Sequence, residues 1–469
     1  MPRGYVRERV KPSAPLLGDT VEATLQDLLQ QLPAVPPPSG QPGRPPEVAA
    51  CVLWAGLLVC VLRGFAAQRS LWQLLTLKGL WHFPRVAVTS QAIYQRLARS
   101  TPDTLQTFFL QITALLQARY AAVSDVAVAP FATDILALDH SILDALLRKL
   151  KVLRGLPRTD PRLMPGQLGA LFDVRRQLWR AVRFWPDAQR NEKLEVEQWL
   201  EGLLPGTLLL FDLGFFAFRW FDTLTARGFY FVSRQRAKIS VQVLHTCFDG
   251  VAGPVHLRDQ LVYLGKYRAD RAAHPVRLLE IRRGNATYRY LTNVLDPELL
   301  PAAHVVELYR RRWDIEQAFH LLKTHLNLFL LWSGHANVVQ LQVFATLILS
   351  QVVLSLRTEV ALAARVPLRD VSLPLLLRWL PELAAGEEDP VQVLACRGRL
   401  AGILRPFRGR EYHLPPTQGL AYVPVPTRPP PRRARYAGKR STVGSSVPAG
   451  HRGQRKHGWG LRPRRLRQK

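Results

Sequence analysis

No acidic residue follows Glu411, although the chain runs to 469 residues. That last stretch is rich in Pro, Gly and Arg (TRPPPRRARY, RGQRKHGWGLRPRRLRQK). Such a composition cannot bury a core, so residues 405–469 are expected to form a basic, disordered tail. It binds nucleic acid through counterion release or serves only as a solvated tail. Cysteine is scarce: Cys51, Cys60, Cys247 and Cys396 lie far apart, with no CxxC pair and no zinc spacing. That excludes a disulfide scaffold and a zinc finger, and it predicts buried thiols in a reducing cytoplasm. The opening MPRGYVRERVK lacks the apolar core of a signal peptide. Long apolar runs are few. Val48 to Leu62 is short and stopped by Arg63, and Val338 to Leu356 carries Gln340, Gln342 and Gln351. Both are expected as buried helices, with no membrane partner. No internal repeat is visible.

What is present is a large apolar fraction, 48%, together with 64 Lys and Arg against 35 Asp and Glu, a formal charge of +29. The chain can bury real cores, and its length suggests two to four domains. The charge excess costs self-repulsion and is not needed for folding. It points to a polyanionic partner, nucleic acid, against the plainer reading of an Arg-rich genome.

Residues 1–125 read as helical after a Pro-rich linker, Pro33 to Pro46. Within them LWQLLTLKGL, a turn and TSQAIYQRLAR outline either a helix-turn-helix DNA reader or an ordinary helical hairpin. Thr89 or Ser90 is placed to cap the second helix, which presents Gln91, Gln95, Arg96 and Arg99. From Thr133 the texture changes to DILALD, GQLGALFDVR and LWRAVRFW, read as strands. The helix EKLEVEQWLEGLL, the strand GTLLLFD, the helix FFAFRWFDTLTARG and the strand FYFVSR follow. This order gives an α/β core with a mixed sheet over residues 126–236, its first three strands a meander. Residues 237–292 read as further strands, and 293–404 as mostly helical.

The most informative stretch is ELYRRRWDIEQAFHLLKTHLNL. Tyr309, Arg312, Glu316 and Lys323, at offsets of three, seven and fourteen residues, fall on one helix edge within roughly 60°. Leu308, Ile315, Phe319 and Leu322 make a neighbouring apolar stripe that would pack on the sheet. Phosphodiester chemistry uses two divalent ions about 4 Å apart, held by converging carboxylates. Asp139 ends the strand DILALD, Asp212 ends GTLLLFD, and Glu316 on a covering helix can meet them. Asp134, Asp144 and Asp222 compete, but Asp134 opens its strand and the other two read as helical. Position favours Asp139 and Asp212.

YRRRWDIEQAFHLLK resembles the Tyr-Arg-Glu-Lys signature of DDE transposases of the insertion-sequence-4 type. FDLGFFAFRWFDTLTARGFYFVSR is similar to that family's segment around its second catalytic Asp, and YLTNVLD also fits. The resemblance runs from roughly Asp125 to Leu356. It implies an RNase H-like catalytic domain with a β-rich insertion between the second Asp and the Glu, beside the helical N-terminal domain. It implies that Asp139, Asp212 and Glu316 bind two Mg²⁺ ions, with Mn²⁺ as a substitute. Tyr309, Arg312 and Lys323 would contact DNA at the cleaved element end. Trp313 would stack on a displaced base or serve in the core. The implied partners are terminal inverted repeats and target DNA, with a homodimer on paired ends, in the cytoplasm at the nucleoid. The alternatives are a degenerate copy that only binds DNA, or another RNase H-like nuclease. Two positions depart from the family pattern. Asp139-His140-Ser141 replaces a Gly or Ser and a Thr after the first Asp, and Leu213 replaces a basic residue after the second.

Overall fold

The computed structural model describes residues 19–31, 48–65, 67–81, 83–121, 123, 128–143, 166–187, 196–236, 238–267, 269–328, 331–384, 388–405, 420–425, 431–433 and 435. The Pro33–Pro46 linker, Asp144 and most of the basic tail lie outside them. The N-terminal helices are α1 (Asp19–Gln31), α2 (Ala50–Leu62), α3 (Gln68–Gln73), α4 (Ser90–Arg99) and α5 (Asp103–Arg119). A π-helical turn, Leu74–Lys78, continues α3 and stops at Gly79. There φ is +77°, and a Cβ would meet the Phe83 carbonyl at 2.6 Å, so the turn needs glycine. Thr89 caps α4 by accepting from the Ala92 amide at 3.3 Å. Gln91, Gln95 and Arg99 are exposed, whereas the Arg96 guanidinium donates to the Val48 carbonyl.

The sheet has nine strands: β1 (Ile135–Ile142), β2 (Gln167–Asp173), β3 (Leu178–Trp185), β4 (Leu208–Phe211), β5 (Tyr230–Arg234), β6 (Val241–Ala252), β7 (Val255–Leu264), β8 (Val276–Arg283) and β9 (Ala286–Thr292). Its order is β3-β2-β1-β4-β5-β9-β8-β7-β6. The first three strands form an antiparallel meander, and β1, β4 and β5 run parallel. These five strands make the expected mixed sheet. The insertion, β6 to β9, extends the same sheet, because β9 pairs antiparallel with β5. α6 (Phe218–Ala226) crosses between β4 and β5. Of the helix expected ahead of β4, the described part opens with a short 3-10 turn, Val196–Leu200.

Side chains alternate between the two faces. Ile135, Ala137, Leu208 and Leu210 join one core, whereas Leu136, Leu138, Leu209 and Phe211 join the other with Phe221 and Trp199. On the first face lie α7 (Ala302–Arg311), α8 (Trp313–His320) and α9 (Ala336–Ala364), followed by α10 (Leu373–Ala384) and α11 (Pro390–Arg397). The N-terminal helices pack on α9 and share this core, so they do not bury a separate one.

By length and composition α9 is long and apolar enough to cross a membrane, but its most apolar window is 94% buried inside the protein. Its polar side chains are used internally. Gln351 Oε1 accepts from the Trp179 amide, and its Nε2 donates to the Trp179 carbonyl and to Thr113. Ser350 accepts from the Trp179 indole at 2.8 Å. α9 therefore satisfies backbone groups on β3, which would otherwise stand unpaired at the sheet edge.

Two expectations are corrected. Cys60 and Cys247 are buried, but Cys51 and Cys396 are exposed; all four thiols are free. Part of the supposed structureless tail is also built into the fold. Tyr422 stacks on Phe248 with centroids 5.1 Å apart and donates to Asp259 at 3.0 Å, while the Val423 amide donates to the Cys247 carbonyl. Arg432 lies over the Tyr263 ring and donates to the Ala272 and Leu264 carbonyls. The basic composition concealed an aromatic and an arginine that find their partners on β6 and β7.

Candidate active site

Parallel pairing of β1 with β4 ends with Leu138 opposite Phe211, so Asp139 and Asp212 stand side by side just beyond it. Asp212 leaves β4 there, but β1 runs on to Ile142 beside β2, so Asp139 lies within its strand and not at its end as expected. Alternation along β1 puts Asp139 on the face of Ile135 and Ala137, which α8 covers. Asp212 follows the buried run Leu208–Phe211 and accepts from the Gly214 amide at 2.7 Å, opening a short 3-10 turn. Glu316 arrives from α8, whose Ile315 and Phe319 are buried against the sheet with Leu308 and Leu322.

Arg312, at the junction of α7 and α8, ties the site together. Its Nη1 lies 3.3 Å from Asp139 Oδ2 and its Nη2 lies 2.8 Å from Glu316 Oε1. Burial pushes the Asp139 carboxyl up to about 7, against the opposing pull of the His140 amide and Arg312. The charges of Asp212 and Glu316 add to the rise. Asp212 is thus near enough to act on Asp139, and it acts on Tyr309 as well.

Tyr309 lies beneath two cations, Arg312 at 5.7 Å and Arg234 at 5.8 Å from its ring centroid. Trp313 is 57% exposed, which removes the core role for it. Lys323 sits in a π-helical turn, Leu321–His325, and donates to Ser141 Oγ at 2.6 Å and to the Ile142 carbonyl at 2.8 Å. It grips the end of β1 rather than standing apart at the far end of a straight helix.

Of the competing carboxylates, Asp134 and Asp222 are placed elsewhere, and Asp144 lies outside the described residues. Asp134 pairs with Arg176 at 3.1 Å, beside Asp173, at the opposite end of β1. Asp222 accepts from the Ala273 and His274 amides. Asp314, on the buried side of α8, is held by Arg311 and Gln177.

Three features escaped the sequence. Arg234 and Arg236, flanking the end of β5, bring basic charge to the second Asp, where Leu213 supplies none. Arg236 Nη2 donates to the Leu213 carbonyl at 3.2 Å. FYFVSRQR holds both arginines directly after an apolar strand, a signal that position alone could have given. The third is His140, which packs against Phe215, Trp185 and Trp199 on the other face of the sheet; burial lowers its pKa to about 4. Gly169 lies opposite it and leaves the room it needs.

All three candidate ligands are carboxylates, a donor set suited to Mg²⁺ or Mn²⁺. Among the described residues, no three Asp, Glu, His or Cys side chains are gathered closely enough to hold a metal ion as they stand. The Arg312 guanidinium is bonded to two of the three. A positive charge already occupies the place where the carboxylates gather, so the set suits a cation that takes over from arginine.

The site sets one carboxylate within β1, one just past β4 and a glutamate on the covering helix. Comparison with known proteins bears on part of the chain. Residues 167–350 match the family model described as the transposase DDE domain, a stretch that includes Asp212, Arg312, Glu316 and Lys323 but not Asp139. "Putative transposase y4zB" of Sinorhizobium fredii (strain NBRC 101917 / NGR234) is 28% identical over 166 residues, 34% of this chain and 44% of that protein. The chain thus aligns with less than half of that relative's length. A cryo-EM structure of the piggyBac transposase synaptic complex with hairpin DNA is similar at 11% identity and a TM-score of 0.38. That likeness covers 84% of this chain and 82% of that one.

Proposed function

We propose that the chain is a DDE transposase of the insertion-sequence-4 type, which nicks the ends of its own element and joins the freed 3′-hydroxyl to target DNA. The observation that carries this reading is that Asp139 and Asp212 stand side by side where the parallel pairing of β1 with β4 ends, with Arg312 joining Asp139 to Glu316. The matched DDE domain supports it. Asp139, Asp212 and Glu316 would hold the divalent ions, which supply Lewis-acid polarisation of the phosphate and an activated water.

The chain's own groups do the rest. Arg312, released from the carboxylates, neutralises a phosphate beside the site, with Arg234 across Tyr309 adding to the field. Tyr309 is held between these cations, which orients its hydroxyl for a phosphate oxygen. Exposed Trp313 offers a face on which an unpaired base stacks. Lys323 fixes the end of the strand that carries Asp139. In this reading the DNA partners are the terminal inverted repeats and the target, the working unit is a homodimer on paired ends, and the enzyme acts in the cytoplasm. Residues 1–125 read the ends, with Gln91 and Gln95 of α4 offered to base edges.

The test is cleavage of a duplex carrying the inverted repeats that flank the gene. With Mg²⁺ the protein should nick at the repeat boundary, and Asp212→Ala should bind the duplex without nicking it. The arginine seated among the carboxylates favours one second reading, a copy that binds DNA without cutting it. Binding by the unaltered protein without nicking in either Mg²⁺ or Mn²⁺ would select that reading.

A further inference from the structure

Charge on the insertion is organised around one carboxylate. Asp249, Arg258, Glu280 and Arg289 stand directly opposite one another on β6, β7, β8 and β9. Opposed residues share one face of a sheet, so the four form a row across it. His256 and Arg282 pair in the next row on that face. Glu280 Oε1 accepts from Arg282 Nε and Nη2 at 2.8 and 2.5 Å, and Oε2 accepts from Arg289 Nε at 2.6 Å. Arg258 Nη1 approaches Oε1 to 3.9 Å and has Asp249 as its nearer partner at 2.8 Å.

Arg282 and Arg289 therefore share a single carboxylate, which can neutralise only one of them. Glu280 is 10% exposed, whereas the two arginines are 47% and 44% exposed. A nearly buried acid orients two guanidinia that still face water, and the group keeps net positive charge. A ladder serving only the sheet would match its charges. Two planar, fixed guanidinia with a surplus charge suit the oxygens of phosphodiesters.

The position favours the same ligand. The Arg289 carbonyl accepts from the Gln235 amide at 3.1 Å. Gln235 lies between Arg234, which covers Tyr309, and Arg236, which bonds the residue after Asp212. The cluster thus stands at the same end of the sheet as the candidate active site, on the face of Leu278 and Leu291, opposite the face that carries Tyr309. The segment around Tyr422 packs on Phe248 and Asp259, whose register places them on the opposite face.

We propose that the Glu280-centred arginines grip the sugar–phosphate backbone of duplex DNA as it passes the active-site end of the sheet, with Arg282 and Arg289 as the phosphate contacts. The inference rests on the reading of the chain as a DNA-processing enzyme. The probe is a fluorescent duplex of random sequence, titrated with full-length protein by anisotropy over a range of salt concentrations. Replacing both Arg282 and Arg289 by Ala should weaken binding about tenfold and lower the slope of log affinity against log salt by about 2, near 0.9 for each phosphate lost. Lys at both positions should keep the slope. Glu280→Gln should bind at least as tightly as the unaltered protein, because it removes negative charge and keeps both arginines.

Unchanged affinity and slope in the double Ala variant would overturn the proposal. So would equal loss of binding in Glu280→Gln, which would make the cluster a structural hub. Cleavage of the inverted-repeat duplex, measured in parallel, separates the two claims. Cleavage with an unchanged salt slope rejects the cluster and keeps the transposase. A lowered slope in a protein that never cuts rejects the enzyme and keeps the cluster.

Discussion

The Lys323 ammonium and the Ser141 hydroxyl are 2.6 Å apart, so the helix that carries Glu316 also clasps the strand that carries Asp139. On a straight helix Lys323 would lie about 10 Å beyond Glu316, suited to a neighbouring phosphate. The π turn Leu321–His325 adds a residue to that turn and redirects the side chain. The Leu143 amide, bonded to the Gly166 carbonyl at 3.0 Å, reports on the clasp. Lys323→Ala should speed hydrogen exchange there about fivefold, since a partly exposed charged hydrogen bond contributes roughly 1 kcal/mol. Loss of DNA binding with no change in exchange would restore the phosphate-gripping role.

Gly169 faces His140 across β1 and β2, and a Cβ there would lie 2.5 Å from the imidazole and 2.6 Å from Trp185. Gly169→Ala should therefore destabilise the protein by about 1–3 kcal/mol through overpacking. It should also shift the part of β1 that bears Asp139. His140→Ala in the same chain should recover part of the lost thermal stability, because the two changes share one space. Strictly additive losses in melting temperature would show that the imidazole is not the obstacle.

These two pairs mark the boundary of what the sequence could reveal. LLLF followed by Asp212, and the apolar stripe Leu308, Ile315, Phe319 and Leu322, were readable because period and run length encode strand and helix locally. The neighbouring places of β1 and β4 followed from the α/β order, but the run of β1 past Asp139 to Ile142 did not. The glycine inside GQLGALFD holds no local record of the imidazole that it faces. The π turn at Lys323, the return of Tyr422 to Asp259 and the grouping of three arginines about Glu280 depend on register between distant segments. No local period records that register.

Arg277 and Asp259 are both fully buried, 2.5 Å apart, with Tyr422 donating to the same carboxylate. Asp259→Asn would leave a guanidinium buried without its counter-charge, at a cost of about 3–5 kcal/mol. Tyr422→Phe removes one hydrogen bond and keeps the stack on Phe248, costing roughly 1 kcal/mol. Urea unfolding of both variants measures the difference. Comparable destabilisation by the two would mean that the C-terminal segment, rather than the ion pair, holds the insertion together.

Arg312 is bonded to Asp139 and to Glu316, two of the three proposed metal ligands, so the arginine and a divalent cation compete for the same carboxylates. Removing the guanidinium leaves three acids with less positive charge among them, which favours an incoming ion. Arg312→Ala should therefore bind Mn²⁺ more tightly in the absence of DNA, by about tenfold if the displaced pair contributes roughly 1.4 kcal/mol. The same variant should cleave poorly, because the phosphate loses its cation near the reacting centre. Glu316→Gln provides the opposite pattern, with Mn²⁺ affinity and cleavage falling together. Calorimetric titration of the two proteins with Mn²⁺ decides the matter. Weaker metal binding by Arg312→Ala would mean that the guanidinium positions the carboxylates for the ion instead of standing in its place.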